Sequence, residues 1–327
     1  MKQIPLIDGL RSIAALSVCA FHYVCQTIGI NFPDWISATF RFGQYGVYIF
    51  FVISGFIIPW SMCQNNYTFK SMPKFILKRL IRLEPPYLIS IILILIIAFI
   101  KTNFNIGIPT KDSFSLNQIA LHFGYLINFS SNYKWLNQVY WTLAIEFQYY
   151  FMISFFYFMF IHSKISIRVI GYIIFYSIAI LVPDPQQKHF PAYAPLFLIG
   201  IATFQYKLNL TSTFEFVVLL ICGAFFSSLF IETEIGIFGA LTSLIIIFFS
   251  DKKIPIFNYF GKMSYSFYLI HPIIGAAVVN LICRYCNTLF EKTGVVCLGI
   301  GISLISAYIM YILIENPSKK ISSKIKL

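Results

Sequence analysis

The chain has 327 residues, 58% of them hydrophobic, 19% aromatic and only 11% charged, with 24 Lys and Arg against 12 Asp and Glu for a net charge of +12. Soluble domains carry about 25% charged residues, so this chain lacks the groups to cover a water-facing surface, and its 36 Phe and 21 Tyr, with no Gly or Pro repeat, exclude a disordered or fibrous chain. A polytopic membrane protein remains, in which basic residues gather in cytoplasmic loops; no nucleic-acid partner is expected, because no basic stripe lies on a polar helix.

A bilayer-crossing helix takes about 20 mostly apolar residues. Ten segments qualify in chain order, at roughly 7–27, 44–62, 83–101, 140–161, 168–183, 191–206, 214–231, 235–250, 263–282 and 295–314. The expected fold is all-α, with about ten transmembrane helices. With the N-terminus cytoplasmic, sixteen basic residues fall in inside segments and seven in outside ones, which predicts N-in and C-in. Asp8, Arg11 and His22 within the first span argue against a cleaved signal peptide. The outside segment 102–139 holds SLNQIALHFGYLIN (115–128), an expected interfacial or re-entrant helix. A single domain over 1–327 is expected, since only ten residues follow Pro317.

Ionisable groups inside a span are expensive and mark function by default. Arg11 and His22 are eleven residues apart, so they share one face of the first helix, about 16 Å apart along its axis. Ala15 and Val18 fall between them, small enough to leave room for a long thin ligand. Glu146 in the fourth span lies at the depth of His22 and is the candidate to orient its ring. Arg79 and Arg82, three apart before the third span, read either as a positive-inside anchor or as a phosphate clamp. Asp8, Ser54, Tyr268 and His271 are candidates for substrate contact or structural support; Gly55 allows close helix approach and Pro272 should kink the ninth span. Glu315-Asn-Pro317 reads as a helix stop. Cys283 and Cys286 form C-x-x-C without a nearby partner pair or His, so they read as packing and no metal site is expected.

Together these segments resemble acyltransferase family 3, the integral-membrane acyltransferases. The ordered matches are Ile7-Asp-Gly-Leu-Arg11 with His22, Gly46-Val-Tyr-Ile-Phe-Phe-Val-Ile-Ser-Gly-Phe56, Arg79-Leu-Ile-Arg82 followed by Pro and Tyr87, Trp141-Thr-Leu-Ala-Ile-Glu146, Ser264-Tyr-Ser-Phe-Tyr-Leu-Ile-His271 and Glu315-Asn-Pro317. The resemblance implies a ten-helix core that takes an acyl group from cytoplasmic acyl-CoA, usually acetyl-CoA, and passes it to a hydroxyl of a carbohydrate or lipid-linked glycan facing the other side. It implies His22 as the essential histidine, Arg11 as its basic partner, and Arg79 and Arg82 on the CoA phosphates. Some members of the family carry an added SGNH-hydrolase-like domain; with no room for one and no Gly-Asp-Ser block, the stand-alone form is expected here, and a chain rich in Ile, Phe and Lys fits a bacterial cytoplasmic (inner) membrane. His22 would act as general base or, alternatively, as an acyl carrier. Alternatives for the whole chain are acyl transfer to a lipid, secondary metabolite or amine, and a transporter using Arg11, His22 and Glu146. A homodimer is compatible with the sequence, which carries no signal for oligomeric state.

Overall fold

The computed structural model describes residues 4–27, 31–104, 114–182 and 189–326, and among them every regular element is helical. A helix covers each of the ten apolar segments. They are α1 (Pro5–Cys25), α3 (Gly46–Gln64), α4 (Met72–Phe104), α6 (Tyr140–Phe160), α7 (Ile165–Leu181), α8 (Phe190–Lys207), α9 (Thr213–Phe230), α10 (Thr233–Phe249), the pair α12 (Ser264–Ile270) and α13 (Ala276–Ile282), and α14 (Leu289–Met310). Short helices α2 (Asp34–Arg41), α5 (Leu116–His122), α11 (Pro255–Lys262) and α15 (Asn316–Ser323) complete the set. Among the described residues, six helical stretches are long and apolar enough to cross a bilayer: Asp34–Gln64, Phe69–Phe104, Tyr140–Phe160, Thr213–Phe230, Ser264–Tyr285 and Leu289–Ser323; α7 and α10 are apolar but shorter. The chain is an integral membrane protein.

Small residues set the closest helix contacts. α3 and α8 cross where a Cβ on Gly55 would run into the carbonyl of Phe197, and one on Gly200 into the carbonyl of Val52. Without a side chain at either point the two backbones touch, the usual device for helix association in lipid. α1 is held against α11 in the same way, with Gly261 against the Asp8 carbonyl and the Ser12 hydroxyl donating to the Phe257 carbonyl.

Three elements depart from the expected boundaries. α4 starts at Met72, well before residue 83, and runs through Pro85 and Pro86. The basic segment is therefore the first part of the helix rather than a loop leading to it. Pro272 does not simply kink the ninth span. It has no N–H for the Tyr268 carbonyl, and the chain answers with a π-turn over His271–Gly275 between α12 and α13. Glu315-Asn-Pro317 is not a stop either: a second π-turn, Tyr311–Glu315, carries α14 on into α15. Pro317 has no N–H for the turn before it, and the wider π-turn at Tyr311–Glu315 lies where that hydrogen bond is missing.

Within 102–139, residues 105–113 lie outside the described ones. α5 and a 3-10 turn at Ile127–Phe129 follow. His122, Tyr125 and Ile127 point into the protein, while Leu116, Phe123, Leu126 and Phe129 are exposed, an apolar face suited to the level of the lipid headgroups.

Candidate active site

A cavity of about 340 Å³ opens where α1, α3, α4, α6, α11, α12 and the second π-turn converge. Of the nine sequence candidates, seven line it: Asp8 and Arg11 from α1, Ser54 from α3, Arg79 and Arg82 from α4, Glu146 from α6 and Tyr268 from α12. His22 and His271 do not line it. Tyr268, whose hydroxyl lies 3.2 Å from Thr142 Oγ1, stands between, and its ring centroid is 5.9 Å from that of His271.

The cationic side of the cavity is made by Arg11, Arg79, Arg82, Lys262 and Lys319. Arg79 is buried, with its guanidinium 5.3 Å from the Phe75 ring centroid and 5.6 Å from that of Tyr150. The two rings meet edge-to-face with centroids 6.3 Å apart, so the guanidinium rests against an aromatic corner that holds it by cation–π attraction without using up its N–H groups. Among the described residues, none of the three arginines makes a hydrogen bond or ion pair with a carboxylate, and the Arg79 Nε is buried without a partner. Such donors suit an anionic ligand.

Glu146 does not meet His22. Its Oε1 accepts from the Ser54 hydroxyl at 3.0 Å and from the Tyr150 hydroxyl at 2.6 Å. The carboxylate faces α3 and its own next turn, and it lines the cavity together with Arg11. The partner of His22 is His271, with Nδ1 of the first 2.9 Å from Nε2 of the second and the rings stacked at 14°.

The strip along α1 expected to accommodate a ligand is filled. Ala15 and Val18 are both buried; Ala15 packs in a cluster with Phe267, and a Cβ on Gly46 would clash with Val18 and the Ala14 carbonyl. Small side chains here bring helices together instead of opening space. The cavity is instead walled on the neighbouring helices by Phe50, Phe51 and Tyr268.

Sequence reasoning missed three contributors. Tyr150 sits one turn after Glu146, and Lys319 one turn after Glu315, spacings that mark helical neighbours. Glu315, expected to end a helix, is instead buried, accepts from the backbone N–H and hydroxyl of Ser266, and lies 2.6 Å from Lys319 Nζ. Among the described residues no group of three or more His, Cys, Asp or Glu is placed to hold a metal ion.

A helical membrane protein with a cationic cavity and a separate histidine pair is the class that these features define. Residues 4–312 match the acyltransferase domain of acyltransferase family 3, and the chain belongs to that family. It is similar to O-acetyltransferase OatA of Staphylococcus aureus, strain NCTC 8325 / PS 47, being 28% identical over 158 residues, which are 46% of this chain and 24% of that protein. The same protein from strain COL matches with the same identity and coverage, 28% over 158 residues. The chain thus spans about a quarter of the length of the curated relatives it matches. No solved structure matches.

Proposed function

We propose that the chain is a membrane O-acetyltransferase that takes an acetyl group from cytoplasmic acetyl-CoA and passes it to a hydroxyl of a cell-surface polysaccharide or its lipid-linked precursor. In this reading it is a bacterial inner-membrane protein of ten spans, N-in and C-in, with 102–139 on the outer side. The observation that carries it is the arrangement of Arg11, Arg79 and Arg82 around one cavity, with Arg11 on the same helix as His22. Arginine pairs bidentately with phosphate, so the nucleotide end of the donor would seat at these three. A volume of about 340 Å³ is at the low end for ligand pockets and suits the narrow pantetheine arm, with the nucleotide at the mouth. The thioester would then lie past Tyr268, toward the histidines.

There His22 acts as general base. It takes the proton of the acceptor hydroxyl as the oxygen attacks the thioester carbonyl; the C–S bond breaks and the leaving thiolate receives that proton. The products are the O-acetyl ester and the free thiol of CoA. Support also comes from the printed name of the relative OatA, an O-acetyltransferase.

Mass spectrometry of surface glycans from cells lacking the protein, and from cells carrying His22→Ala, tests the reading. Loss of one acetyl group per acceptor unit in both is expected. Acetylation retained in His22→Ala, with the variant inserted at normal level, would overturn it.

A further inference from the structure

We propose that His271 is a positioning residue that fixes the tautomer of His22, leaving Nε2 of His22 as the free base; the proposal rests on the reading of His22 as general base. The argument is a count of donors. His271 Nδ1 lies 3.1 Å from the carbonyl oxygen of Phe267. A carbonyl only accepts, so His271 Nδ1 must carry a hydrogen. His271 is fully buried, and a charged imidazole there would need a paired anion. The groups facing it are His22 and Tyr23 from α1, Phe267 and Tyr268 from α12 and, through Tyr23, Ser303 from α14; none is a carboxylate. The ring is neutral, so its Nε2 accepts.

The atom 2.9 Å from that acceptor is Nδ1 of His22. It must donate, which leaves the lone pair of a neutral His22 on Nε2. Direction therefore runs along a chain of two rings from the base to a backbone carbonyl. Free imidazole side chains favour the opposite form, protonated on Nε2, so the partner changes what His22 would otherwise be.

The π-turn holds His271 in register. The Tyr23 hydroxyl donates to the His271 carbonyl at 2.7 Å and lies 2.6 Å from Ser303 Oγ. A Cβ on Gly275 would strike both hydroxyls. A π-turn inside an α-helix is frequent at functional sites, and this one carries His271 at its first position.

The test uses the full chain in detergent micelles with 15N in the histidine rings. His22→Ala and His271→Phe assign the two sets of ring signals. The wild type is expected to show His22 protonated on Nδ1 and bare on Nε2, and His271→Phe to move His22 toward the Nε2–H form. In acyl-transfer assays His271→Phe should lower turnover about 100-fold, the scale of general-base assistance, with the KM for acyl-CoA little changed. His271→Gln, whose side-chain oxygen reaches the place of Nε2, should recover activity to within about tenfold of wild type. The proposal is overturned if wild-type His22 is protonated on Nε2, if His271→Phe turns over normally, or if folded His271→Gln is as inactive as His271→Phe. Activity retained in His22→Ala would instead overturn the general-base reading and leave the tautomer measurement standing by itself.

Discussion

Oε2 of Glu315 accepts two hydrogen bonds from Ser266, one from its backbone N–H at 3.1 Å and one from its hydroxyl at 2.5 Å. Ser266 lies in the first turn of α12, where backbone N–H groups have no partner within the helix, and Met263, at the cap position, supplies no side-chain bond. A carboxylate from the end of another helix thus does the work of a cap, with the favourable sign for a helix N-terminus. α12 in turn carries Tyr268 and leads into His271. Glu315→Ala should cost about 3 kcal/mol, the sum of two hydrogen bonds to a charged group. Glu315→Gln should cost less, because it keeps an acceptor. The unfolding midpoint in detergent measures both, and an unchanged midpoint for the alanine variant would show that the contact contributes nothing.

Arg79 tests the donor seat separately from the chemistry. Its guanidinium lies against the rings of Phe75 and Tyr150, and a lysine ammonium would keep the charge but lose the planar, bidentate fork. Arg79→Lys should raise the KM for acyl-CoA about tenfold while turnover at saturation stays within about threefold, the signature of lost ground-state binding. An equal fall in turnover and in kcat/KM would instead place Arg79 at the transition state.

The sequence made the membrane class, the apolar segments and seven of the cavity-lining residues readable, because apolar length and intramembrane charge are one-dimensional signals. Arg11 and Glu146 stand out as charges in apolar surroundings whatever their partners are, whereas Arg79 and Arg82 lie in a basic segment that an inside anchor explains equally well. Partner choice was not readable. Counting from the helix ends puts Glu146 and His22 at a shared depth, yet Glu146 lies at the cavity with Arg11 and gives its carboxylate to Ser54 and Tyr150. His271 reaches His22 from the start of a π-turn, whose extra residue shifts the register that a 3.6-residue period assumes. Ala15 and Val18 were ambiguous for another reason: a small side chain is equally compatible with a void and with a close helix contact, and here the contact won. Glu315 before Asn-Pro looked like an ending because the residue before a proline-containing turn often is one.

Gly55 gives a test of the packing that holds Ser54 in place. Its Cβ position is occupied by the backbone of Phe197 in α8, and the facing Gly200 meets the backbone of Val52. No rotamer change relieves a clash with backbone, so Gly55→Ala must push α3 and α8 apart. A cost of about 1–3 kcal/mol is expected from overpacking. Ser54, one residue earlier, should be drawn off Glu146, so the folded fraction should also lose activity. Gly55→Ala combined with Gly200→Ala should cost less than the two single variants added together, because the first substitution already opens the gap that the second needs. Thermal unfolding of the four proteins in detergent gives the coupling, and strict additivity would mean that the crossing does not respond as one contact.

His122 should make stability depend on pH. It is fully buried, with the rings of Trp135 and Tyr140 edge-on to it. Its Nδ1–H donates to the Gln118 carbonyl at 2.7 Å, and its Nε2 accepts the Leu136 N–H at 3.1 Å. That pattern needs a neutral ring: a proton on Nε2 would face another donor. Burial holds the ring below the ordinary histidine value of 6.5. The folded pKa is thus lower than the unfolded one, so between them the unfolded chain binds more protons and stability rises with pH. The stabilisation is fully present above about pH 6.5 and is lost as the pH falls below it, by at most about 1.4 kcal/mol per pH unit. The unfolding midpoint should therefore drop between pH 7.5 and 5.5, and His122→Asn, less stable at neutral pH, should show a flatter dependence. A wild-type slope that survives the substitution unchanged would assign the pH response to another group.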